Sequence, residues 1–351
     1  MKGFNDERQK DQQGFKSKEK GSTLSQDSDQ VGIINKAFQF HSDGNIEEAA
    51  KYYQYFLGQG YLDPRVLSNY GAICRQKGET EKAIELFEQS IRLFPNSPEA
   101  YSNLGNIFKD QEKLEEAQSL IYKSIELNPN VANSYFNLGN ILSGLGKQQE
   151  AELATRKAIE LNPDLAEAHS NLASILSDLG KLKEAELSTR QAIELNPNFT
   201  KAHNNLGLIL KNLGNLKEAE FSTRKAIEIN PNFANAHSNL GIILRDVGKL
   251  QEAEKSYLKS IELTPDCESL FYYAGCLYAR KALKLAINNL LKAKPLAKEN
   301  YHKTWIIAAL KATDIAKNSS IALTTSNISK GSISLINIRS SSNTSPFDKV
   351  V

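Results

Sequence analysis

Residues 166–199 read AEAHSNLASILSDLGKLKEAELSTRQAIELNPNF and residues 200–233 read TKAHNNLGLILKNLGNLKEAEFSTRKAIEINPNF, one 34-residue pattern written twice. The period runs well beyond these two blocks. Pro95, Pro129, Pro163, Pro197, Pro231 and Pro265 stand 34 residues apart without an insertion, which chance does not produce. Gly71, Gly105, Gly139, Gly207, Gly241 and Gly275 keep the same period, with Ala173 in the one missing slot. Twelve positions later comes a third series, Ala49, Ala83, Ala117, Ala151, Ala185, Ala219 and Ala253. A fixed period with fixed offsets defines one structural unit stacked on copies of itself.

Inside a unit such as 98–131, Tyr101, Leu104 and Phe108 and then Ala117, Ile121 and Ile125 follow helical spacing in two separate stretches, so each unit is predicted to be a helical hairpin. The turn carries Gly78, Gly146, Gly180, Gly214 or Gly248, suited to the left-handed conformation that closes a helix. The proline ends the second helix, because it has no N–H to donate and pushes the preceding residue, often Asn, out of helical geometry. Small residues in the Gly and Ala slots let two helix backbones approach.

These residues resemble the tetratricopeptide repeat. The unit 98–131 places Tyr101, Leu104, Gly105, Phe108, Ala117, Ile121, Ser124 and Pro129 in the motif's positions 4, 7, 8, 11, 20, 24, 27 and 32. Six good repeats fill 64–267, a divergent one precedes them at 30–63, and in a damaged eighth Ala286 comes one residue early and the turn glycine is gone. The resemblance implies an all-α, right-handed solenoid of about eight hairpins over 30–300, closed by a capping helix at 301–318 that covers an exposed apolar end. Residues 1–29 and the Ser/Thr/Asn-rich 319–351 are expected to be disordered flanks.

Position 6 of the unit is Asn without exception in the first seven repeats: Asn35, Asn69, Asn103, Asn137, Asn171, Asn205 and Asn239. Packing does not require Asn there, and helix propensity mildly disfavours it. A carboxamide both donates and accepts, as a peptide backbone does, so a column of them could grip an extended chain whatever its side chains. The slot is similar to that in the superhelical repeat region of O-linked N-acetylglucosamine transferases, which implies an Asn ladder holding peptide in a concave groove. Next to it, position 9 runs Asn106, Asn140, Ser174, Leu208, Ile242 and Cys276, which predicts a groove with a polar middle and a more apolar C-terminal end.

Other candidates read as structure. His169, His203 and His237 recur in a slot that elsewhere holds Leu67, Tyr101 and Tyr135, so they stand in for packed rings rather than for metal ligands. His41, Ser42 and Asp43 have the spacing of part of an iron triad but lie at a helix end. Glu152 with Arg156, Glu186 with Arg190, and Glu220 with Arg224 are helix-supporting pairs on a solvated face. In those repeats Thr155, Thr189 and Thr223 replace a bulky residue at position 24, while Leu153, Leu187 and Phe221 appear two positions earlier.

Composition narrows the function. A net charge of +2 gives no field to recruit nucleic acid or an acidic membrane. Cys74, Cys267 and Cys276 are odd in number and form no CxxC, against a disulfide framework or thiolate metal site and in favour of a reducing, cytoplasmic setting. The longest apolar run, 305–310, is far too short for a membrane span. No GxSxG, Walker loop, GxGxxG or HExxH occurs, so neither catalysis nor a cofactor or metal is expected. The leading expectation is an adaptor or scaffold that binds extended polypeptides through the seven Asn. The rivals are the substrate-recruiting part of an enzyme (glycosyltransferase, sulfotransferase or oxygenase) whose catalytic domain is absent from this chain, and a self-associating structural array.

Overall fold

A computed structural model describes residues 23–279, 283–296 and 309–310. The described residues contain α-helices and one 3-10 turn, with no strand among them, as the period predicts. They fall in two compact units, one up to Leu145 and one from Gly146 onward. The first holds α1 (Thr23–Ser42), α2 (Ile46–Gly58), α3 (Pro64–Gln76), α4 (Thr80–Leu93), α5 (Pro98–Asp110), α6 (Leu114–Leu127) and α7 (Ala132–Gly144). The second holds α8 (Gln148–Leu161), α9 (Ala166–Asp178), α10 (Leu182–Leu195), α11 (Thr200–Asn212), α12 (Leu216–Ile229), α13 (Ala234–Asp246), α14 (Leu250–Leu263), α15 (Cys267–Ala279) and α16 (Leu283–Ala293), with the turn Lys294–Leu296 after it.

One boundary differs from the sequence reading. Helix α1 begins at Thr23, inside the stretch 1–29 assigned to a disordered flank; residues 23–31 contain neither Pro nor Gly, and the helix runs on ahead of the first repeat. The rest of that flank, the tail 319–351 and all of the expected capping helix 301–318 except residues 309 and 310 lie outside the described residues. The damaged eighth repeat still supplies two helices, α15 and α16.

Local chemistry sets each hairpin. Between α3 and α4, Gly78 at φ 81° turns the chain so that the Glu79 N–H donates back to the Cys74 carbonyl at 2.9 Å. Between α5 and α6 the same slot holds Glu112 at φ 61°, the only non-glycine with positive φ among the described residues. After the second helices, Asn128, Asn162, Asn196 and Asn230 leave helical geometry before their prolines, with φ between −144° and −135°. Each of these side chains then accepts from the backbone N–H two residues on, at 3.0–3.2 Å, which fixes the turn into the next hairpin.

Packing follows the small-residue slots. Every member of the Ala series is fully buried. A Cβ added at Gly71 would sit 2.6 Å from the Phe87 ring, and one at Gly241 would sit 2.6 Å from the Tyr257 ring. The aromatic side chain of the second helix therefore packs directly against a bare backbone of the first. Tyr53, Phe56, Leu67, Ile73 and Phe87 form the core of the first unit, and Tyr257, Tyr272 and Leu277 anchor the C-terminal core of the second.

Candidate functional site

First helices of successive hairpins touch one another, α3 with α5 and α5 with α7 in the first unit, α9 with α11 and α11 with α13 in the second. Second helices are spaced more widely, so within each unit the first helices form the inner wall. The Asn series lies on the first helices. Asn35 is exposed, and Asn69, Asn103, Asn137, Asn171, Asn205 and Asn239 are half-buried.

Their partners divide them. The Asn69 amide donates to the Tyr53 hydroxyl at 3.2 Å, and His41 Nδ1 meets the same oxygen at 2.9 Å. Asn239 donates to Asn204 Oδ1 at 3.0 Å. Both bonds reach the preceding hairpin, so these two amides help stack the array. The amide nitrogens of Asn171 and Asn205 are buried with no hydrogen-bond partner in the molecule. A buried donor left in that condition costs about 1–3 kcal/mol, recovered when an acceptor reaches it.

In the first unit the geometry makes a cavity of about 1030 Å³, open to solvent, whose wall includes Phe38, His41, Tyr53, Asn69, Asn96 and Asn103. Two consecutive members of the Asn series thus share one concavity, and Asn35 is not part of it. Burial pushes the Tyr53 phenol up, outweighing the opposite pull of the Asn69 bond, so Tyr53 keeps its hydroxyl hydrogen. Arg65 also lines the cavity, 5.0 Å over the Phe38 ring. Its charge is matched by Asp63 at 2.8 Å. Burial would raise the Asp63 carboxyl, but the Arg65 bonds outweigh it and hold the group below its ordinary value. The wall therefore offers amide and hydroxyl groups, apolar rings and the exposed Glu99 carboxylate, with its guanidinium already paired to Asp63.

Position 9 departs from expectation at the C-terminal end. Asn106, Asn140 and Leu208 are half-buried and Ser174 is exposed, whereas Ile242 and Cys276 are buried in the core around Tyr257. The Cys276 thiol donates to the Leu250 carbonyl at 3.4 Å. Those two side chains face the neighbouring helices, and the apolar groove end expected from them is not formed by them.

The histidine slot has a role that the sequence reading missed. His169, His203 and His237 are half-buried, and each Nε2 lies 2.8–2.9 Å from the carbonyl of the proline six residues earlier. A carbonyl only accepts, so Nε2 carries the hydrogen and clips the inter-hairpin turn. His41 bonds Tyr53, Ser42 bonds the Gln39 carbonyl and Asp43 accepts from Gln39, so the His41–Asp43 segment is a helix end. No cluster of three or more His, Cys, Asp or Glu that could hold a metal occurs among the described residues, and no helix there is long and apolar enough to cross a membrane.

Comparisons with known proteins agree with this architecture. Among solved structures the chain is similar to a chain of the APC/C hetero-tetramer Cut9–Hcn1, with TM-score 0.63 and 17% identity over 80% of this chain and 55% of that one. It is similar to human IFIT1, solved as a dimer with m7Gppp-AAAA, at TM-score 0.63 and 19% identity over 82% of this chain and 74% of that one. PilF of Pseudomonas aeruginosa matches at TM-score 0.51 and 19% identity over 60% of this chain and 96% of that one. At such identities the likeness shows the tetratricopeptide-type fold. A sequence relative, the uncharacterized protein YgeG of Escherichia coli strain K12, is 29% identical over 63 residues, 18% of this chain and 39% of its own length. The profile of the cilia and flagella-associated protein 70 C-terminal domain, a tetratricopeptide-repeat family, matches residues 17–270, and the chain belongs to that family.

Proposed function

We propose that the chain is a protein-interaction adaptor that holds extended polypeptide segments of other proteins along the inner wall of its hairpins, with the Asn series as the gripping groups. The observation that carries this reading is the cavity of about 1030 Å³ with Asn69 and Asn103 in one wall. In the second unit Asn171 and Asn205 hold the same position on the first helices, half-buried as Asn69 and Asn103 are. First helices packed at about 8–10 Å face a strand that advances about 3.3 Å per residue, so each Asn meets roughly every third residue of the guest. Recognition of this kind reads main chain and leaves side-chain choice to the rings and prolines beside it. Arg65 is neutralised by Asp63, which removes the strongest cue for an acidic guest. We place the protein in the cytoplasm, where the free thiols of Cys74 and Cys276 stay reduced.

The test is binding of an array of unstructured peptides to the wild-type chain and to a variant carrying Asn103→Ala, Asn171→Ala and Asn205→Ala. Loss of one or two amide bonds predicts affinity lower by about tenfold or more, with helicity and melting nearly unchanged. Equal binding by both chains, or an equal loss of binding and fold, sinks the reading.

A further inference from the structure

Leu153, Leu187 and Phe221 are 70%, 69% and 71% exposed, the most exposed large apolar side chains of the described residues. They occupy the same position of three successive second helices, α8, α10 and α12, and all belong to the second unit. That position is exposed in the other repeats too, where it holds Lys51, Glu85, Ser119 and Lys255. The apolar choice is therefore confined to one block and is no requirement of the hairpin. Two positions inward, the same three helices bury Thr155, Thr189 and Thr223 completely. Each threonine hydroxyl donates to the alanine carbonyl four residues before it, at 2.7–2.9 Å. In these hairpins the bulky residue has gone from the core to the surface, where it does nothing for its own fold.

The rim of the strip is charge-balanced. Arg156 binds Glu152 on its own helix and Glu184 on the next, and Arg190 and Arg224 repeat the arrangement with the glutamates of their own and following helices, at 2.7–3.1 Å. A partner of strong net charge gains nothing from such a rim, whereas a copy bringing the same rim meets no repulsion. The strip is also symmetric about its middle. A twofold axis through Leu187 carries Leu153 onto the partner's Phe221 and Phe221 onto the partner's Leu153. A slip of one hairpin toward α14 is disfavoured, because it sets exposed Lys255 over Leu153.

We propose that this face of α8, α10 and α12 is the interface of a twofold homodimer, with the second copy packed antiparallel and Leu187 on the axis. Large apolar side chains left exposed at the same position of three successive helices are the kind of feature that marks an interaction surface. The proposal is independent of the groove, since it uses second helices and leaves the Asn wall open in both copies.

Sedimentation equilibrium of the full chain at micromolar concentrations is expected to give a dimer, and Leu187→Glu a monomer with unchanged helical circular dichroism. If the variant also loses helicity, Leu187→Ser replaces it. A second readout fixes the register. In a chain carrying Cys74→Ala, Cys267→Ala and Cys276→Ala, Leu187→Cys links to itself under mild oxidation and Lys255→Cys does not. A monomeric wild-type chain means that the strip is covered by something other than a second copy, and it overturns the proposal. So does a dimer that survives Leu187→Glu, or equal crosslinking at both cysteine positions.

Discussion

At the scale of one residue, Glu112 shows how strongly the turn constrains the chain. Its slot is glycine in the other well-formed turns, and a side chain forced to φ 61° carries a steric cost of about 1 kcal/mol that glycine does not. Glycine also loses more entropy on folding, which cancels part of the gain. Glu112→Gly is expected to stabilise the chain by about 0.5 kcal/mol, read from the denaturation midpoint at unchanged slope; a destabilised variant would mean that the glutamate side chain contributes more than its backbone costs. That a turn lies between α5 and α6 was legible from the period alone, but that it would be left-handed without a glycine was not. The histidine clips were equally hidden. A period assigns His169, His203 and His237 to a packing slot, and only coordinates reveal a carbonyl 2.8–2.9 Å from each ring nitrogen.

Between elements, the Gly slot of the first helix and the bulky slot of the second decide how closely a hairpin closes. At Gly241 an added methyl meets the fully buried Tyr257 ring at 2.6 Å, and ring and helix must separate. Gly241→Ala is expected to cost about 1–3 kcal/mol despite alanine's better helix propensity. An added methyl at Gly207 meets the Thr223 hydroxyl more closely still, but the preceding hairpin already holds Ala173 in that slot with Thr189 in place of Thr223, so a small shift of the threonine accommodates it. Gly207→Ala should cost less, and parallel thermal melts of the two variants check the order; a larger drop at Gly207 would contradict this account of hairpin closure. The hairpins themselves were readable because alternate Gly, Ala and Pro slots are local. Contacts between hairpins were not. The bonds from Arg156, Arg190 and Arg224 to glutamates 28 residues on depend on the angle between successive helices, which no spacing rule supplies. For the same reason Ile242 and Cys276 read as groove residues and turned out to be core.

For the whole molecule, acid stability should follow the carboxylates in these inter-hairpin networks. Lys181 and Arg156 hold the Glu152 carboxyl below its ordinary value. At Glu220 burial works upward but Arg224 and Lys249 prevail, and that carboxyl is lowered too. A depressed carboxylate stabilises the fold fully above its unfolded value and loses that contribution as pH falls toward the folded one. Asp178 runs the other way, raised by burial, and offsets part of the effect. Unfolding free energy is therefore expected to fall below about pH 4.5, the ordinary glutamate value, and to fall less steeply in the variant Glu152→Gln with Glu220→Gln. Urea titrations at several pH values measure this, and identical slopes in both chains would remove the networks from the account. What was legible at this scale was an array of hairpins with a recurring Asn. What was not legible was that Asn69 and Asn239 would spend their amides on neighbouring hairpins while Asn171 and Asn205 keep theirs uncommitted.

The clip from imidazole to proline carbonyl bears on how such a chain can change over time. Asn162, Pro163 and His169 all lie within eight consecutive residues, as do their counterparts ending at His203 and His237, so each joint carries its own instructions. Duplicating or deleting one 34-residue block in this stretch leaves every surviving joint as it was. The array can thus be lengthened or shortened in whole steps by a single recombination, with the chemistry of every remaining joint preserved.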